Sequence, residues 1–150
     1  MALGFLSAFL LVSGCGSSST GTAAAVNSQP ELSIRELTGP SELGFPSGPV
    51  NLQYEVAIAN RADGPITLRR IEVQSFGGGA YRIPRANFTY SNTIVAGETA
   101  QVQFWVRGLA KGGRSVRADE PVTLRLVGYF DSPAGAFQTV VMKDLSQLER

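Results

Sequence analysis

Ten consecutive residues constrain this chain more than any other stretch. From Val50 to Ala59 the apolar side chains Val50, Leu52, Tyr54, Val56 and Ile58 fall at every second position, with Asn51, Gln53 and Glu55 between them. A period of two puts the first set on one face of an extended strand and the second on the other, one buried and one wet. A helix would scatter the same residues around its circumference. Asn60-Arg61-Ala62-Asp63-Gly64-Pro65 then reads as a turn, because Asp-Gly supplies a positive-φ position and Pro stops pairing.

The same period recurs along the chain. Ile66 to Ser75 begins with Ile66 and Leu68 on one parity and changes to Ile71 and Val73, with Arg69-Arg70 at the change. One inserted residue there, a β-bulge, restores a common facing. Gly77-Gly78-Gly79 interrupts, and Tyr81 to Pro84 and Phe88 to Tyr90 read as short strand pieces. Glu98 to Arg107 sets Ala100, Val102, Phe104 and Val106 against Gln101, Gln103, Trp105 and Arg107. Val122 to Phe130 follows Pro121, and Phe137 to Met142 follows the turn Asp131-Ser132-Pro133-Ala134-Gly135. Glu31 to Leu37 supplies the first strand, and only Lys143 to Arg150 leaves room for a helical turn.

A chain of 150 residues, 43% apolar and 17% charged, has length for one core and the composition to fold it. About seven alternating strands over roughly 115 residues predict an all-β, immunoglobulin-like antiparallel sandwich for residues 30–150. With one cysteine in the chain, that core must hold by apolar packing and not by a disulfide. Seventeen glycines and eight prolines lie mostly between the runs, as such a fold requires. The stretch from Asn60 to Gln74, a strand ending in Asn and then Gly-Pro-Ile-Thr-Leu opening the next, is loosely similar to WHy-type and other immunoglobulin-like accessory domains. That likeness carries no residue role.

Thirteen Lys and Arg against twelve Asp and Glu leave a net charge of +1, which argues against a general nucleic-acid binder. No histidine and one cysteine exclude zinc clusters, histidine triads and internal disulfides by count. No metal or cofactor is expected.

The single cysteine sits at an informative place. Ala2 to Val12 is almost wholly apolar and uncharged, and Ser13-Gly14-Cys15 follows it. The run is well short of the roughly 20 residues of a spanning helix and suits the apolar region of a secretory signal. Leu11-Val12-Ser13-Gly14-Cys15 resembles the lipobox of bacterial lipoproteins. The resemblance implies a diacylglyceryl thioether on Cys15, cleavage between Gly14 and Cys15, and a membrane held through the lipidated residue. It also implies residues 1–14 as signal peptide. Small side chains let an extended backbone enter the protease site, and only a thiol offers the nucleophile that the lipid transfer needs. No Lys or Arg precedes the apolar run, so the family's positive leader segment is expected upstream of Met1.

Residues 15–29 carry Gly16-Ser17-Ser18-Ser19-Thr20-Gly21-Thr22-Ala23-Ala24-Ala25, which has no apolar periodicity and the composition of a flexible tether. In the enterobacterial pattern an Asp after the cysteine retains a lipoprotein at the inner membrane. Gly16 in that place implies the outer membrane, with the domain facing the periplasm.

Two neighbouring features are candidates for binding. Trp105 lies on the polar parity of its strand with Gln101, Gln103 and Arg107, where an exposed indole beside amides and a guanidinium can stack on a sugar ring or anchor a protein interface. The opposing expectation is an indole covered by its own loops or by an arginine stem. The longest inter-strand segment, Gly108 to Glu120, carries Lys111, Arg114 and Arg117 and could meet an acidic partner or phosphates, or could simply keep the domain soluble. Asp119-Glu120 and Asp131 lack the alternating ligand spacing of a calcium loop.

These features predict a non-catalytic envelope lipoprotein whose domain binds a protein, an anionic glycan or a lipid-linked component. The alternatives are a small β-sandwich hydrolase or transferase working through carboxylates, and a passive structural domain of a surface assembly.

Overall fold

The computed structural model describes residues 29–39, 47–110 and 120–145. These form eight strands: β1 (Glu31–Thr38), β2 (Gly48–Ala59), β3 (Ile66–Phe76), β4 (Tyr81–Arg82), β5 (Ala86–Ile94), β6 (Thr99–Ala110), β7 (Val122–Ser132) and β8 (Gly135–Leu145). Two antiparallel four-stranded sheets result, with orders β1-β2-β6-β4 and β5-β3-β7-β8. The triplets β1-β2-β6 and β3-β7-β8 reproduce the A-B-E and C-F-G strands of an immunoglobulin-like sandwich. β5 adds to the second sheet beside β3, and β4 caps the first beside β6.

The alternation of β2 packs as its sequence demands. Leu52, Tyr54, Val56 and Ile58 have no exposed surface, and they meet Val102, Phe104 and Val106 of β6 on the same inner face. The second sheet contributes Leu68, Ile71, Val73, Leu124, Leu126 and Phe130 from the other side. The parity change in β3 is a bulge: pairing with both β5 and β7 shifts register between Leu68 and Arg70. Both halves therefore face inward, and Arg69 and Arg70 both face out.

Several elements depart from the sequence reading. The eight strands agree with the about seven expected, and the segment around Pro84 crosses between sheets: Tyr81–Arg82 pairs with β6, whereas Ala86–Ile94 pairs with β3. Phe88 to Tyr90 is the middle of a nine-residue strand. Lys143 to Leu145 continue β8 and form no helical turn; residues 146–150 lie outside the described part. β6 extends through Gly108, Leu109 and Ala110, the first three residues of the segment expected as loop; residues 111–119 lie outside the described part.

The sandwich has two unlike ends. At one end the start of β1 meets three turns: 60–65, 95–98 and the Pro133–Ala134 hairpin. Asn60 ties two of these turns, accepting from Ala62 N and donating to the carbonyls of Gly64 and Ile94. At the other end β2, β4 and β7 begin and β6 and β8 finish.

Candidate functional site

The outer face of the first sheet is set by the odd-numbered residues of β2 and β6. Register places Gln53 opposite Trp105, Asn51 opposite Arg107, Pro49 opposite Leu109 and Glu55 opposite Gln103. β4 sets Arg82 on the other flank of Leu109. Gly108 allows that approach, since a Cβ there would stand 2.9 Å from Leu52 Cδ1 and 3.3 Å from the Arg82 carbonyl oxygen.

Trp105 is 56% exposed and Leu109 47%. Trp105 has neither a covering loop nor a stacked arginine among the described residues; the arginine stack in this fold is Arg70 over Tyr129, on the other sheet. Arg107 lies between Trp105 and Leu109 on the same face, and neither it nor Arg82 has a carboxylate partner among the described residues. Consecutive same-face residues of a strand stand about 7 Å apart, so the three β6 side chains span roughly 13 Å. Trp105 and Arg107 therefore sit side by side on one open surface, as their sequence parity requires. Lys111, Arg114 and Arg117 lie outside the described residues, as do Gly14 and Cys15.

Glu55 was expected on the wet face. It is on that face but only 6% exposed. Arg35 holds its Oε1 through Nε at 2.8 Å and Nη2 at 2.7 Å, while Gln103 Nε2 donates to Oε2 at 2.9 Å. The Gln103 amide, with Arg35 beyond it, lowers the carboxyl below its ordinary value against the opposing effect of burial. Gln53 in turn donates to Gln103 Oε1 at 3.4 Å. A hydrogen-bonded row, Arg35–Glu55–Gln103–Gln53, thus runs up to the edge of the indole.

Other carboxylates are taken up in similar ways. Glu72 of β3 is gripped by Arg85 at 2.8 Å and Arg125 at 3.3 Å, and Asp131 pairs with Arg69 at 2.6 Å. Asp119 lies outside the described residues. Inside the sandwich, the Tyr54 and Tyr81 hydroxyls stand 2.6 Å apart with Glu36 Oε2 within reach of both, so two phenol protons serve three contacts that end on one carboxylate.

Leu109 and Arg82 belong to this surface and were missed by sequence reasoning. Leu109 was visible as the next odd position after Arg107, had the small inward residues Gly108 and Ala110 been read as strand. Arg82 had no such signal, because its place depends on a two-residue pairing of β4 with a strand 27 positions away.

No protein-family model matches this sequence, and no curated protein matches it either. Solved structures share the fold. A structural-genomics target designated SoR45 superposes with a TM-score of 0.54 at 9% identity, over 83% of this chain and 92% of that one. A Bordetella pertussis protein that carries the name ApaA gives 0.51 at 13% identity, over 81% of this chain and 98% of that one. At such identities the likeness concerns the β-sandwich alone.

Proposed function

We propose that this chain is a lipid-anchored, non-catalytic binding module of a bacterial cell envelope, held by Cys15 and working through the outer face of β2, β6 and β4. The observation that carries the reading is the pair of exposed apolar side chains Trp105 and Leu109 flanking Arg107 on an otherwise polar, flat strand surface. Large apolar groups left open beside unpaired guanidinium groups are what a partner would cover.

Several described carboxylates support a binding role over an acid–base one: Glu31, Glu55, Glu72 and Asp131 each pair with an arginine of the scaffold, and Glu36 is held by two tyrosines. The polarity of the sandwich supports the anchoring. Gln29 enters at the turn end, and Trp105 stands opposite β2 six residues beyond the Ala59–Thr99 pair. At about 3.4 Å per residue that places the indole roughly 20 Å from the entry point, on the side away from the lipid. Lys111, Arg114 and Arg117, which follow β6 in the sequence, add positive charge to the chain next to this strand. Gly16 after the anchor favours the periplasmic face of an outer membrane.

The test is retention of envelope material. Immobilised full-length protein in detergent is expected to hold components of an envelope extract that Trp105→Ala, folded by circular dichroism, fails to hold. Equal retention by the two proteins would remove this face as the site.

A further inference from the structure

The chemistry of the face around Trp105 points to one class of ligand. The indole is ringed by amides and a guanidinium, with Gln53 across the strand pair, Gln103 and Arg107 two residues to either side, and Asn51 diagonal to it. Protein interfaces concentrate apolar and aromatic contacts at a dry centre and deplete charge there. Here the apolar groups are separated: Arg107 stands between Trp105 and Leu109, so no continuous dry centre can form. An isolated aromatic plane bordered by amide donors and acceptors suits the C–H face of a sugar ring, whose hydroxyls the amides can bind. Gln53 and Gln103 are already oriented by the Glu55–Arg35 pair, so their amides are held in place before a ligand arrives.

Charge narrows the class further. Arg107, next along β6 from Trp105, and Arg82, across from Leu109, both project from this face without a carboxylate partner among the described residues. Guanidinium groups so placed take planar carboxylates bidentately. We propose that the ligand is an acidic polysaccharide bearing uronic acids, laid along β6 with one ring on Trp105 and carboxylates of the following units on Arg107 and Arg82. This rests on the binding reading above and assigns Arg82, Gln53 and Gln103 to the site.

Trp105 is the sole tryptophan of the chain, so its emission reports on this surface alone. Full-length protein in detergent is titrated with polygalacturonate, alginate and hyaluronan, and with neutral galactan as the uncharged counterpart. Emission should shift to shorter wavelength and saturate with the polyuronates, at an affinity at least tenfold above that for galactan. Arg82→Ala and Arg107→Ala should each weaken polyuronate binding by about tenfold and leave galactan binding unchanged, as expected for lost charge-assisted hydrogen bonds. Equal affinity for galactan and the polyuronates overturns the acidic assignment. Silence towards all four, with the emission still shifted by envelope extract, overturns the polysaccharide assignment and leaves the binding face standing with a protein partner. Silence towards extract as well overturns both.

Discussion

Tyr54 and Tyr81 place two phenol hydroxyls against a single carboxylate, Glu36, inside the far end of the sandwich. Burial, and then the neighbouring acidic groups, pushes both hydroxyls well above the ordinary tyrosine value of 10.0. The linkage has a definite sign. Below about pH 10 both folded and unfolded chains keep these protons and the stabilisation is complete; above it the unfolded chain ionises first, so stability falls as pH rises. The urea midpoint should therefore hold level to about pH 9.5 and then decline. Replacing both residues, Tyr54→Phe with Tyr81→Phe, should flatten that decline while lowering stability near neutrality by about 1–3 kcal/mol, since Glu36 loses its phenol partners. A decline equally steep in the double variant would place its cause elsewhere. The sequence offered Tyr54 as a member of an apolar alternation and Tyr81 as the start of a short strand piece; their convergence on Glu36 depends on β1, β2 and β4 meeting and has no local signature. Glu55 was likewise misread as a wet residue because its cover comes from Arg35 and Gln103 on the strands to either side.

Strands whose two faces differ sharply were legible. β2, β6 and β7 announce themselves by alternation, and the bulge in β3 follows from its change of parity at Arg69-Arg70. Strands at sheet edges were read short. β5 carries Asn87, Thr89, Ser91 and Asn92 exposed, and β8 exposes Val140 and Met142 beside Lys143 and Asp144, so neither has a clean apolar period over its full length. Half-buried edges tolerate such mixtures because only one face packs, and charges there discourage pairing with other chains. Within β7, Gly128 makes room for an aromatic on its own strand: a Cβ at that position would stand 2.6 Å from Phe130 Cε2 and 3.2 Å from Leu32 Cδ1. Phe130 is 1% exposed and stacks on Phe137 of β8 at 5.3 Å, so its ring has nowhere to move. Gly128→Ala should lower the unfolding free energy by about 1–3 kcal/mol in urea titrations, despite the better strand propensity of alanine. A neutral or stabilising result would mean that the β7–β8 layer repacks more freely than this geometry allows.

At the scale of the whole molecule, the proposed anchor, Cys15, precedes β1 in the chain, and the proposed binding face lies on β2, β6 and β4. Lipidation of Cys15 would attach the chain to the membrane 16 residues before β1 begins at Glu31. Several acyl chains at about 0.8 kcal/mol per buried CH₂ make such attachment effectively permanent. Radiolabelled palmitate should enter the wild-type protein but not Cys15→Ser, which should accumulate as uncleaved precursor. Equal labelling of the two would end the lipoprotein reading. The proposed anchor rests on a local stretch, Leu11 to Cys15, that lies outside the described residues; of the candidate face, Trp105 and Arg107 share a strand and so a parity, whereas Arg82 joins them through a pairing that only the fold creates.

The central claim is that the Trp105 face is covered in the envelope and the opposite face is not. Since the one natural cysteine would carry lipid, Leu109→Cys or Val140→Cys would each supply a single free thiol, on the outer faces of the two sheets, at positions 47% and 46% exposed. Both should react with a membrane-impermeant maleimide at similar rates in purified protein. In isolated outer-membrane fragments the thiol at position 109 should be protected at least tenfold relative to that at position 140, and should recover once the bound material is stripped by salt. Equal labelling of the two positions in those fragments would contradict the account.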